Sequence, residues 1–114
     1  MSFAVYFRRD ELTTEQKRPE RELAYERVAN AVLGEMPRIE ARYGVDHYLI
    51  LIISGTDHTS GTDPRGPRKT AYGYRRVEQD RYRRIFFVHV FPDDIEWDTT
   101  YKVEFLQASD FCSP

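Results

Sequence analysis

The sequence predicts an α+β fold, a single domain over residues 1–114 in which a mixed or antiparallel sheet carries a helix packed on one face. Three observations predict it. Residues 13–43 carry apolar positions at helical spacing, five other runs are dense in β-branched and aromatic residues, and the order along the chain is strand, helix, then four strands. At 114 residues the chain is long enough for one hydrophobic core without covalent staples.

SFAVYF at 2–7 is a strand, ended by Arg8, Arg9 and Asp10. Thr13 with Gln16 makes a capping box and Pro19 suits a first helical turn, so a helix begins between them. Its apolar stripe is Leu23, Ala24, Val28, Ala31 and Val32, with Glu20, Glu22, Glu26 and Arg27 towards water. Gly34 and Pro37 predict a kink or a stop, because an interior proline loses one backbone bond and crowds the preceding turn. A second short helical piece over 37–43 then closes at Gly44.

HYLILII at 47–53 is apolar without alternation, the pattern of a central strand covered on both faces. SGTDHTSGTDPRGPRK at 54–69 is rich in turn formers and predicts a long mobile loop, well beyond the about four to six residues of an ordinary connection. Residues 70–77 and 81–91 predict a hairpin joined by EQD, with the polar stretch 81–84 projecting beyond the core and IFFVHVF buried. DDIEWDTT at 93–100 reads as a turn or short helix after Pro92. YKVEFLQ at 101–107 reads as a half-solvated edge strand, Tyr101, Val103 and Phe105 on one side and Lys102, Glu104 and Leu106 on the other. Residues 108–114 form a tail.

Several kinds of chemistry find no support. Cys112 is the only cysteine, so neither an intrachain disulfide nor a cysteine-based metal site can form, and a reducing cytosol is the expected compartment. MSFAVYFRRDE turns charged after a short apolar run and no segment approaches the roughly 18 apolar residues of a membrane span, so no targeting peptide or membrane partner is expected. Asp57, His58 and Asp63 offer oxygen and nitrogen to a cation but lack the spacing and terminal Glu of a calcium loop; no metal and no cofactor is expected. No G-x-S-x-G turn, no Cys beside a His and no P-loop spacing occurs, and Asp93 and Asp94 suit a solvated turn better than an acid–base couple. No catalytic residue is assigned. His89, within an apolar strand, reads as a hydrogen-bonded core histidine.

The net charge of −2 conceals an uneven distribution. Residues 65–84 hold Arg65, Arg68, Lys69, Arg75, Arg76, Arg81, Arg83 and Arg84 against Glu78 and Asp80, whereas 85–114 hold six acids and only Lys102 as a base. Alternation places Tyr72, Tyr74 and Arg76 on one face of the first arm, and Tyr82 and Arg84 on one face of the second. Cations attract carboxylates or phosphates and tyrosines can stack on bases, so Arg65, Arg68, Lys69, Tyr72, Tyr74, Arg76, Arg81, Tyr82 and Arg84 are the candidate binding residues.

The order of a strand, a helical hairpin and consecutive antiparallel strands, with YRRVEQDRYRRIFFVHVF near its end, resembles bacterial toxins of the RelE and ParE type over residues 1–91. That resemblance implies cleavage of ribosome-bound mRNA by Lys, Arg and Tyr on the sheet. The chain departs from the type in its net acidity, its long loop and its closing strand and tail. The leading expectation is therefore a small non-enzymatic cytosolic binding protein, of the inhibitor, immunity or accessory kind. It would engage an acidic protein partner through the basic hairpin and loop 54–69. RNA binding, or a RelE/ParE-like activity, is the alternative, and an open β edge could pair two copies into a homodimer. Both readings need the arginines of 65–84 to gather outside the fold as a free cationic area.

Overall fold

In a computed structural model, residues 3–8, 18–45, 48–52 and 64–112 are described. Strand β1 (Phe3–Arg8) leads through helix α1 (Arg18–Tyr43) to β2 (Tyr48–Ile52), which lies beside β1 and parallel to it, Phe3 opposite Tyr48. Parallel neighbours need a crossover, and α1 supplies it. From β2 onward the chain pairs antiparallel: β3 (Lys69–Glu78) on β2, β4 (Arg81–Val90) on β3, and β5 (Ile95–Thr99) on the far half of β4. A short β6 (Phe105–Gln107) pairs with the hairpin half of β4, and β7 (Phe111–Cys112) returns to β1. The result is a mixed sheet in the order β5-β4-β3-β2-β1-β7, with β6 beside β4, and the fold is α+β.

Helix α1 runs unbroken where an interruption at Gly34 and Pro37 was expected. The reason is visible in its buried stripe. Val28, Val32, Met36 and Ile39 continue in phase across the glycine and the proline, and Tyr43 packs on the same cluster. Leu33, Gly34 and Pro37 are all exposed, so the carbonyl that Pro37 cannot bond lies on the water side, where solvent can take it. The helix closes as expected: Gly44 has a φ of 95°, which an L side chain rarely adopts, and its N–H donates to the Glu40 carbonyl at 2.8 Å. Leu23, expected in the stripe, is exposed.

The helix covers one sheet face, where Tyr48, Ile50, Ala71, Phe86, Val88 and Val90 meet its stripe. Gly73 makes this packing possible, since a Cβ there would lie 2.1 Å from the Phe86 ring. On the opposite face Leu49, Tyr74 and Leu106 form a second cluster, with Tyr72 and Tyr82 against it. Strand β2 is thus central and packed on both faces.

The C-terminal third departs most from expectation. Residues 95–99 form a strand rather than a turn or short helix, and 108–112, expected as tail, form a 3₁₀ turn followed by β7. The hairpin turn is shorter than three residues: Glu78 pairs with Arg81, leaving Gln79 and Asp80 at the bend, and Val77 is the extra residue of a bulge. Of the strand expected over 101–107 only 105–107 form one. Leu106 is buried while Tyr101, Val103 and Phe105 face outward. Of the expected mobile loop, residues 54–63, with Asp57, His58 and Asp63, lie outside the described residues; 64–69 turn through Pro64 and Arg65 into β3.

Candidate binding surface

The candidate residues fall into three groups along β3 and β4. At one end Arg65 donates to Glu96 at 2.5 Å, lies 3.9 Å from Asp94, and stacks over the Phe91 ring at 3.9 Å. Arg68 is half-buried and its Nε has no hydrogen-bond partner; Lys69 is buried in β3 opposite Val90. In the middle, Tyr72, Tyr74, Tyr82 and Arg84 form a packed group. At the hairpin end Arg76 and Arg81 are exposed. From Lys69 to Arg76 the strand spans about 23 Å at ~3.3 Å per residue, so the two cationic ends do not make one patch.

Arg84 corrects the expectation that 81–84 projects beyond the core. Its guanidinium is buried, 3.5 Å over the Tyr72 ring, donates to the Tyr74 hydroxyl at 3.2 Å from Nη2 and 3.3 Å from Nε, and meets Glu104 at 2.5 Å. A buried guanidinium needs its donors filled, and here Nε and Nη2 are met by a phenol and a carboxylate. Arg65 is also matched, but at the surface, by Glu96 and Asp94. Arg75, on the helix side, donates to the Tyr43 carbonyl and to the Tyr48 hydroxyl. The free cationic area over the whole of 65–84 is therefore not what the chain presents.

What it presents is smaller. Arg76 and Arg83 are exposed and form no ion pair among the described residues. Arg81 stacks on Phe105 at 3.9 Å and lies 3.5 Å from Glu78. Arg76 is directly opposite Tyr82 on the face away from the helix, whereas Arg83, the next residue of β4 and opposite Arg75 and Phe105, is on the other face, so the two flank the hairpin end rather than share one face. Between the hairpin turn and β6 is a cavity of about 480 Å³ lined by Glu78, Gln79, Asp80, Arg81, Phe105, Leu106 and Gln107. Its two unburied carboxylates make it a poor seat for an anion.

Sequence reasoning passed over Arg83, Lys102 and the outward Tyr101, Val103 and Phe105. The first two stood in the charge count; the other three carried the alternation of a strand but not which parity faces in. His89 is half-buried on the face away from the helix, its Nδ1 3.0 Å from the Thr70 hydroxyl and its ring 4.7 Å from that of Phe87. Among the described residues no group of three His, Cys, Asp or Glu could hold a metal, and no helix is long and apolar enough to cross a membrane.

Comparison with protein-family models, with curated proteins and with solved structures finds no match in any of the three.

Proposed function

We propose that this is a small cytosolic binding protein that works by association rather than catalysis and seats an acidic protein partner on the hairpin end of its sheet. The observation that supports it is the contrast among its arginines. Arg65 and Arg84 are consumed by carboxylates within the fold, whereas Arg76 and Arg83 stand exposed with no ion pair among the described residues. Unmatched surface cations steer an acidic partner, raising the association rate in a manner that salt weakens. Apart from Arg84, residues 75–84 keep four arginines against Glu78 and Asp80, so the hairpin end is cationic even in a chain of net charge −2.

An RNA contact surface, as the toxin resemblance implies, is the second reading. The observation in its favour is Arg76 opposite Tyr82, a cation beside a ring on the sheet face away from the helix. Affinity capture from cytosol, with and without nuclease, separates the two. The acidic-partner reading expects one protein retained after nuclease and lost with Arg76→Glu and Arg83→Glu together. Retention that disappears with nuclease overturns it in favour of RNA.

A further inference from the structure

We infer that Tyr101, Val103 and Phe105 are the apolar anchor of this surface, and that the partner segment seated on it is acidic with apolar side chains of its own. The inference rests on the acidic-partner reading and adds what holds the partner once charge has brought it in.

Tyr101 is 97% exposed, Val103 60% and Phe105 40%. Val103 and Phe105 are outward because the residues that follow each are committed inward, Glu104 to Arg84 and Leu106 to the cluster with Leu49 and Tyr74; Tyr101 and Lys102 are both exposed at the bend before them. The protrusion that carries them is held at both ends. The Thr100 N–H donates to the Ile85 carbonyl at 3.0 Å, and the Arg84 N–H to the Glu104 carbonyl at 2.9 Å. Pinning at both ends restrains the backbone of this segment, so on binding Tyr101 gives up chiefly its two side-chain torsions, a small cost for the area an aromatic ring brings.

Charge decides what chemistry fits. Lys102 sits between Tyr101 and Val103 and Arg83 lies opposite Phe105 in register; Arg81, stacked on the Phe105 ring, is already 3.5 Å from Glu78 and adds no unmatched charge. Neither Lys102 nor Arg83 has an ion pair among the described residues. A segment carrying carboxylates beside apolar side chains meets both features. Val103 offers nothing for a nucleobase to stack on, which favours a polypeptide over RNA.

The test is fluorescence anisotropy on the full chain with three labelled probes: a peptide alternating Glu with Leu and Phe, a peptide of the same length and charge alternating Glu with Ser, and an oligouridine. The expected result is that the Glu/Leu/Phe peptide binds about tenfold more tightly than the Glu/Ser peptide. Tyr101→Ser with Val103→Ser should close that gap and leave the Glu/Ser affinity unchanged. Should the double variant fail to fold, Tyr101→Ser alone gives the same readout. Equal affinity for the two peptides, or a gap that survives the variants, overturns the anchor while the acidic-partner reading stands. Failure of both peptides to bind overturns that reading and the anchor with it. Tighter binding of the oligouridine, lost with Tyr101→Ser, overturns the choice of a polypeptide.

Discussion

Arg84 and Glu104 meet at 2.5 Å with only 7% and 17% of their side chains exposed, and this ion pair joins the two backbone bonds, Thr100 to Ile85 and Arg84 to Glu104, in fastening the β5–β6 connection to the sheet. The pair does more than match charges. By drawing Glu104 inward it sets the alternation over residues 103–106, so Leu106 is buried and Val103 and Phe105 are not. Removing one member of a buried pair leaves an uncompensated charge. Glu104→Ala should therefore destabilise the protein by about 3 kcal/mol in urea unfolding. Arg84→Met with Glu104→Leu should cost less than Glu104→Ala alone. A double change that costs as much as the two single changes added together would show that the pair is not a unit.

Two glycines should respond to alanine with opposite signs. Gly34 lies inside α1 with nothing within 4 Å of where a Cβ would stand, so Gly34→Ala should stabilise by about 0.5–1 kcal/mol and raise the melting temperature. At Gly73 a Cβ would lie 2.1 Å from the Phe86 ring. That ring cannot swing aside, because it is fully buried and stacked with Tyr43 at 5.4 Å and against Tyr48 at 5.8 Å. Gly73→Ala should cost about 1–3 kcal/mol by overpacking. Thermal melts of both variants settle the signs.

Asp98 should titrate below its ordinary value of 3.8, because its carboxylate accepts the Thr99 N–H at 2.7 Å and pairs with Arg42 at 2.8 Å. Both contacts favour the charged form. A carboxyl whose folded value is depressed contributes stability above its unfolded value, and that contribution is lost as pH falls through the folded value, so the loss here belongs to acid below the ordinary carboxylate range. An NMR titration of the Asp98 carboxyl carbon checks this. In Arg42→Met the midpoint should rise but stay depressed, since the Thr99 N–H remains; a midpoint at or above 3.8 in the unaltered protein contradicts the assignment.

What could be read from the sequence was whatever depends on neighbours along the chain. The stripe through Val28 and Val32, the apolar run of β2, the arms of the hairpin and Gly44 as helix stop are all local patterns, and each is where it was expected. Met36 and Ile39 are in phase with Val28 and Val32, and in the fold their burial outweighs the cost of Pro37. The C-terminal third was harder for a different reason. Phe105 and Leu106 are adjacent apolar residues, so a two-residue period allows either to face in. The choice is made by Arg84, twenty residues from Glu104, and no local pattern announces a partner so far away. The candidate surface failed in the same way. Its arginines were visible, but which of them would meet Glu96 or Glu104 depended on the fold.

Trp97 joins the edge strand to the helix, and its loss should be felt at both. Its indole N–H donates to the Glu35 carboxylate at 3.0 Å, and that same oxygen accepts Arg38 at 2.9 Å. Arg38 and Arg42 lie 5.6 and 5.7 Å from the indole ring centre, and Arg42 goes on to Asp98, the residue after Trp97. Trp97→Phe keeps an aromatic surface under the two guanidinium groups but removes the hydrogen bond, so it should cost about 1 kcal/mol. Trp97→Ala removes the packing as well and should cost about 3 kcal/mol or more. Amide exchange distinguishes this from a merely local effect. If β5 is held to the sheet through its contact with α1, Trp97→Ala should speed exchange at Ile95 and Thr99 far more than at Ile50 in the centre of the sheet. Uniform acceleration across all three would mean that β5 and the core open together, and the contact would then be one of many rather than the fastening of that edge.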